Sequence, residues 1–497
     1  MKMMSKKTWG AVTTGALLLA VVTLSFTKKR PADTRPNILL IVSEDHGPHL
    51  SCYGDKVIQT PNLDNIAKNG IIFKNAYVSE SVCSPSRSTI LSGLYPHQTG
   101  HFGLTTFGFH YAVPVKTIYQ LLKQTGYRTG MIGKLHVMTD SIFPIDYHPI
   151  TSPNYEKKGL ARYADDAEEF MKAGDEPFFL MVNFPDTHWP FQDDVEGRPK
   201  HKVTPDKVTT FEYLHMDNPR LRQYCTSLYN CMLRLDECVG ELMDRLHNSG
   251  KENNTLVFFL SDHGDEMARG KFDNYEVSTK IPFMISWPGK IVKGKQSNAL
   301  VSTIDIVPTV LDLAGVPIPK EVTGKSLTVL FKNPDANFRR YLFTEKNIDQ
   351  LDMFYPRRAV RNARYKLNYS LLDTKNPVAA LYMQDSKRAE ALGGSPTMKE
   401  LETAAPLTRK IYTDWLNPAR AQLYDLENDP WEFNDLSANP KYAAIKRRLL
   451  NEIFKWQENT NDPLRFPEKL KMLKQENDTM KISANMQWKY PHYLYGK

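Results

Sequence analysis

Short apolar runs alternate along the chain with amphipathic segments, and this alternation limits the possible fold more than any other feature. Residues 38–42, 71–77, 129–132, 178–184, 256–260 and 282–287 have the length and apolar density of buried strands. Helical patterns lie among them at 61–69, 85–93, 117–124, 161–172 and 219–246. In the longest, Leu221, Tyr224, Leu228, Met232, Leu235, Val239, Leu242 and Leu246 recur at threes and fours, Asn218-Pro219 opens the segment and Gly250 closes it. Alternation of this kind predicts an α/β fold, a mostly parallel sheet covered by helices. Ligands of such sheets bind beyond the carboxyl ends of the strands. The residues that follow each apolar run are therefore where chemistry belongs.

Those positions are polar and charged. Glu44-Asp45 follow the first run, Lys134-Leu135-His136 the third, Asp186 to His188 the fourth and Ser261-Asp262-His263-Gly264 the fifth. Alone, an acidic pair before Gly47-Pro48 reads as a turn, and Asp-His-Gly as a loop. Together, at neighbouring strand ends, three carboxylates and one imidazole make a mainly oxygen site suited to a hard divalent ion such as calcium. A lone Lys is ordinarily solvated and a lone His ordinarily structural. Lys134, His136, His188 and Lys271 all fall at or beyond strand ends, which suits an oxyanion site better.

Cys83-Ser84-Pro85-Ser86-Arg87, followed by Ser88-Thr89-Ile90-Leu91-Ser92-Gly93, reads as a helix start. Pro85 suits a first turn, Ser84 can cap, and Ile90 and Leu91 face inward. Cys83 is then expected just outside the helix N-terminus, where the dipole and free N–H groups favour negative charge. Arg87, one turn in, adds a fixed positive charge. A nucleophile and an anion site coincide; the plainer alternative is a small buried thiol at a helix start.

This string resembles the signature of the type I sulfatases, C-x-P-S-R followed by a small apolar run and Gly. Gly133-Lys134-Leu135-His136 is similar to that family's G-K-x-H, Thr187-His188-Trp189-Pro190 to its H-x-P, and the segment from Gly270-Lys271 to Tyr275-Glu276 to its G-K-x-x-x-Y-E. The likeness runs from Pro36-Asn37-Ile38 to the Leu-Tyr-Asp-Leu-Glu-Asn-Asp-Pro string at 423–430. It implies a sulfatase fold of the alkaline-phosphatase-like kind, with a large mixed, mostly parallel sheet flanked by helices and a smaller C-terminal α+β domain. It implies one Ca2+ held by Glu44, Asp45, Cys83, Asp262 and His263, and a catalytic set of Cys83, Arg87, Lys134, His136, His188 and Lys271. It also implies that a formylglycine-generating or anaerobic sulfatase-maturing enzyme converts Cys83 to 3-oxoalanine (formylglycine). Once hydrated, that aldehyde is the nucleophile. Asp262 then orients or deprotonates the attacking hydroxyl, His188 or Lys271 protonates the departing alcohol or amine, and His136 helps expel sulfate. Arg87, Lys134 and Lys271 surround the sulfate oxygens.

Two departures stand out. The commoner first pair in the family is Asp-Asp, whereas this chain has Glu44-Asp45. Residues 83–100, Gly103-Leu104 and 130–137 look most like the sulfamidase (heparan N-sulfatase) branch, yet that branch has Arg where this chain has Lys271. The resemblance thus implies release of inorganic sulfate from a sulfated saccharide, such as a heparan-type glycan, by hydrolysis of a sulfuric ester or an N-sulfate. Two other functions fit the same residues: a phosphonate or phosphodiester hydrolase on this fold, and a glycan-binding protein with an unmodified Cys83. Phe107, Phe109, Tyr111, Trp189 and Phe191 can stack on a sugar or simply close the pocket.

The remaining features set the frame. Lys2, Lys6 and Lys7 precede an apolar run from about residue 10 to 26, a secretory signal pattern over 1–27, with an uncleaved anchor as the alternative. A secreted or periplasmic protein is expected, without stable membrane insertion after signal removal. The catalytic domain is expected at 36–334, the C-terminal α+β subdomain at 335–470 and a tail at 471–497. A net charge of +8 over 497 residues is too modest to indicate a nucleic-acid partner. Five Cys do not make a disulfide scaffold, and Cys225, Cys231 and Cys238 fall within one helix as small core residues.

Overall fold

All six expected strands form in the computed structural model, which describes residues 35–390, 394–480 and 492–495. They are β1 (Asn37–Ser43), β2 (Gly70–Tyr77), β3 (Arg128–Gly133), β4 (Phe178–Asn183), β5 (Thr255–Ser261) and β6 (Phe283–Ser286). A seventh, β7 (Lys295–Ser302), completes a sheet of order β3-β4-β1-β5-β6-β2-β7. Pairings are parallel except where β6 runs against β5 and β2, so the sheet is mixed and mostly parallel. β7 was not legible as a strand because it sits at an edge and begins Lys-Gln-Ser-Asn, with none of the apolar density of the inner strands.

Every residue of β1 is buried, which is why it reads as a continuous apolar run. Its side chains alternate between two cores. Ile38, Leu40 and Val42 meet Ile90, Leu91, Ile118 and Val307 on one face; Leu39 and Ile41 meet Tyr163, Phe170, Leu235 and Leu242 on the other. The second face is closed by helices Ala161–Lys172 and Pro219–Asn248. Asn218 opens the latter as expected, its Oδ1 accepting from the Leu221 amide at 2.8 Å.

A four-stranded antiparallel sheet follows, β8 (Leu342–Lys346), β9 (Arg357–Arg361), β10 (Tyr365–Ser370) and β11 (Ala421–Asp425), in order β11-β10-β9-β8. The helix Ala443–Asn459 packs against it through Leu449 and Ile453. Buried ion pairs tie this sheet to the loop ahead of β6: Arg357 to Asp273 at 2.6 Å and Arg361 to Glu276 at 2.7 Å. A helix Pro467–Thr479 crosses the position where a tail was expected to begin, with Leu470 and Leu473 buried. The expected signal segment, 1–27, lies outside the described residues. Among those residues no helix is long and apolar enough to cross a membrane.

Candidate active site

The strand ends converge as expected. β1 delivers Glu44 and Asp45, β3 Lys134 and His136, β4 leads to His188, and β5 delivers Asp262 and His263. The Cys83 helix brings Cys83 and Arg87 in from the side, and Lys271 arrives on the loop after β5. All ten sequence-marked positions are thus accounted for in one place, most of them buried. One local detail differs. The helix Cys83–Ser92 begins at Cys83 itself, after extended Val82, with no side-chain cap. Ser84, expected as the cap, instead accepts from the Thr105 amide at 3.1 Å. Cys83 therefore occupies the first turn rather than preceding it, still at the end where the helix favours negative charge.

Cys83 Sγ lies 3.4 Å from His263 Nε2 and 4.0 Å from Asp45 Oδ1. His263 Nδ1 faces the Gly264 carbonyl at 3.0 Å, and a carbonyl only accepts, so Nδ1 carries the hydrogen. Nε2 then turns its lone pair toward Asp45 Oδ1 at 2.8 Å and Asp262 Oδ1 at 3.8 Å. Three acceptors facing one another need a proton or a cation between them. A proton can serve: burial disfavours it, but Asp262 and Asp45 outweigh burial and lift His263 well above its ordinary value. The donor set of Asp45, Cys83, Asp262 and His263, all within 4.8 Å of one another, fits a metal ion equally well. Glu44 falls outside this set: its Oε1, without a hydrogen bond, lies 3.3 Å from Arg87 Nη2, and its carboxylate groups within 4.8 Å of Cys83 and His188.

The cations are fixed by these carboxylates. Arg87, fully buried, donates from Nε to Asp262 Oδ2 at 3.1 Å and from Nη1 to Asn183 Oδ1 at 2.7 Å and the Lys134 carbonyl at 3.1 Å. Lys134 Nζ donates to Glu44 Oε2 at 2.7 Å. Lys271 Nζ bridges Asp45 Oδ2 at 2.8 Å and Glu266 Oε1 at 3.0 Å. Burial would raise the Cys83 thiol, but Lys134 and Lys271 outweigh it and hold it well below its ordinary value. Burial and Lys134 press His136 down to about 4, so it stands neutral beside Cys83, with Nδ1 unpartnered. His188 Nδ1 faces the Trp189 carbonyl at 2.6 Å, which leaves Nε2 3.8 Å from Asp45 Oδ2.

Four participants carried no sequence signal. Asn183 anchors Arg87 but is an ordinary polar residue at the end of β4. Glu266 partners Lys271, and burial raises its carboxyl to about 7. Tyr155 stacks on His188 at 4.3 Å between ring centroids and lies 5.4 Å beneath Lys134 Nζ. Lys157 is buried behind them. A cavity of about 590 Å³ opens beside the cations, walled by Thr105, Asp140, His148 and Tyr155 together with Lys134 and His136. The aromatic residues singled out in the sequence line none of it: Phe109 is fully buried, and Phe107, Tyr111 and Phe191 pack against the cores. A second cavity, about 550 Å³, lies at the seam with the small sheet beside Arg361 and Trp431 and touches none of the ten marked residues.

A mixed sheet whose strand ends present a buried thiol, an oxygen-rich donor set and three fixed cations suits a hydrolase of tetrahedral oxyanion esters. The Sulfatase family model matches residues 36–316, and a second model, "N-sulphoglucosamine sulphohydrolase, C-terminal", matches residues 269–413. The chain belongs to the sulfatase family. Among curated proteins it is 30% identical over 488 residues to human N-sulphoglucosamine sulphohydrolase, covering 90% of this chain and 93% of that protein. It is 28% identical over 494 residues to an ulvan-active sulfatase of Formosa agariphila, covering 93% and 90%. Among solved structures, a protein in complex with its substrate D-glucosamine-2-N,6-O-disulfate shares the fold at a TM-score of 0.65 and 23% identity, covering 86% of this chain and 98% of the other.

Proposed function

We propose that this sulfatase releases inorganic sulfate from a sulfated glycosaminoglycan-type saccharide, and that Cys83, converted to formylglycine by a maturing enzyme of the exporting cell, is its nucleophilic position. The observation that carries the reading is the position of Cys83 Sγ: within 4.0 Å of both His263 and Asp45, in a pocket whose charge is set by Lys134 and Lys271. Asp45, Asp262, His263 and Glu44 would hold a calcium ion, with residue 83 completing the set. Hydrated formylglycine supplies one hydroxyl to attack sulfur and a second to release sulfate, and the ion supplies Lewis acidity.

The chain's own residues do the rest. Arg87, Lys134 and Lys271 bind the three sulfate oxygens, each already oriented by a carboxylate and so costing little reorganisation. Asp262 takes the proton of the attacking hydroxyl. His188 Nε2, 3.8 Å from Asp45 Oδ2, protonates the leaving oxygen or nitrogen, with Lys271 beside it. His136, neutral and bonded to residue 83, accepts the proton as sulfate leaves. The sugar ring enters the cavity walled by Tyr155, Asp140 and His148. Lys271, where the sulfamidase branch has Arg, favours an O-sulfate.

Cys83→Ala is expected to abolish sulfate release while melting like the wild type; retained turnover refutes the nucleophile assignment. Mass spectrometry of the peptide holding residue 83 separates aldehyde from free thiol. Sulfate release from defined N- and O-sulfated saccharides identifies the bond.

A further inference from the structure

Lys157 is a fully buried lysine in the segment between β3 and β4, and lysine is rarely buried without a demand for its charge or its donors. Its Nζ donates to two main-chain carbonyls, His188 at 2.8 Å and Pro190 at 2.6 Å, and lies 3.9 Å from Asp186 Oδ1. Both carbonyls flank Trp189, whose own carbonyl accepts from His188 Nδ1 at 2.6 Å. The orientation of the His188 ring thus depends on where the backbone of residues 188–190 lies, and Lys157 holds that backbone on either side. Two other buried groups grip the same loop. Arg234 takes Asp186 in a fork at 2.7 and 2.8 Å and the Gln192 carbonyl at 2.7 Å, and Glu266 Oε2 accepts from the Trp189 amide at 3.0 Å. Tyr155, two residues before Lys157, covers the imidazole face at 4.3 Å, so one short segment supplies both the backbone clamp and the ring's stacking partner. A hydrophobic residue would fill the Lys157 site more cheaply but could not donate to the two carbonyls.

We propose that Lys157 is a positioning residue that fixes His188 for proton delivery to the leaving group. The proposal rests on the role given to His188 above. Proton delivery matters most when the departing oxygen is a poor leaving group, so the loss of Lys157 should depend on the leaving group.

The experiment measures kcat and KM of Lys157→Met for phenyl sulfate, which leaves as a basic phenolate, and for 4-nitrophenyl sulfate, which leaves without help. The expected result is a fall of about tenfold or more in kcat for phenyl sulfate, a few-fold fall for 4-nitrophenyl sulfate, and little change in either KM. In a His188→Ala background, Lys157→Met should cost no more than about twofold further, because a residue that acts through His188 has nothing left to position. Equal losses on the two esters, or losses that multiply in the double variant, overturn the proposal. If the Met variant does not fold, Lys157→Gln, which keeps an N–H donor of shorter reach, is put through the same two comparisons. A wild type that releases sulfate from neither ester nor any defined sulfated saccharide, or a Cys83→Ala protein that still does, overturns the underlying reading rather than this one alone.

Discussion

Asp273 sits in the motif that carries Lys271, yet its work is structural, and removing its charge should be measurable apart from catalysis. It is fully buried and accepts four hydrogen bonds: Arg357 Nη1 at 2.6 Å and the Asn274 amide at 2.8 Å on Oδ1, Trp415 Nε1 at 2.9 Å and Asn376 Nδ2 at 3.0 Å on Oδ2. Asp273→Asn keeps the shape but puts two N–H donors where two donors already point. It also leaves Arg357, equally buried, with Gln422 Oε1 as its remaining side-chain acceptor. Breaking one partner of a buried pair costs about 3–5 kcal/mol. With a urea dependence of about 3 kcal/mol per molar, the midpoint should fall by about 1–1.7 M, followed by tryptophan fluorescence. Burial pushes the Asp273 carboxyl up, but Arg357 and Trp415 outweigh it and hold it below its ordinary value. Its contribution is therefore present above the unfolded value of about 4 and is lost as pH falls through the folded value, so the gap between wild type and variant should narrow only on acidification below about pH 4. A midpoint shift under about 0.3 M at neutral pH, or a gap that narrows toward alkaline pH, would refute the reasoning.

Two further outcomes follow from the site. A Cβ on Gly264 would stand 1.8 Å from the Val277 carbonyl oxygen, so Gly264→Ala cannot be accommodated without moving the loop that carries His263; loss of soluble protein or of activity is expected, and a fully active, equally stable variant counts against the geometry. Chelation by EGTA should lower the melting temperature of the wild type, since an ion bound at a hundredfold over its Kd contributes about 2.7 kcal/mol, and should leave Asp262→Asn nearly unchanged. Equal shifts in both proteins would show that the ion sits elsewhere.

The sheet and the residues just beyond it were legible because both follow from strand burial. A strand covered on both faces must be apolar throughout, as β1 is, so its end is marked by the first charge, and Glu44-Asp45 and Asp262-His263 stand out. The same logic hides β7, whose exposed edge lets it be polar, and β8, whose Thr344, Glu345 and Lys346 are buried among ionic partners rather than apolar side chains. The Cys83 helix was legible in place but not in register. Propensity puts a serine at its cap, while the tertiary contact of Ser84 with Thr105 takes that hydroxyl elsewhere.

Residues that hold the site are a different matter, because what makes them functional is whom they meet. Glu266 shows this. In sequence it is an acid in a polar loop, with every reason to be solvated; in the fold it is buried between Lys271 Nζ and the Trp189 amide. Glu44, Asp45 and Asp262 already match Arg87, Lys134 and Lys271, so Glu266 is not needed for their charge balance, and burial raises its carboxyl to about 7. What it adds is position: it orients the Lys271 ammonium and grips the loop that carries His188. Neither consequence can be read from residue type or spacing, only from the two contacts the carboxylate makes.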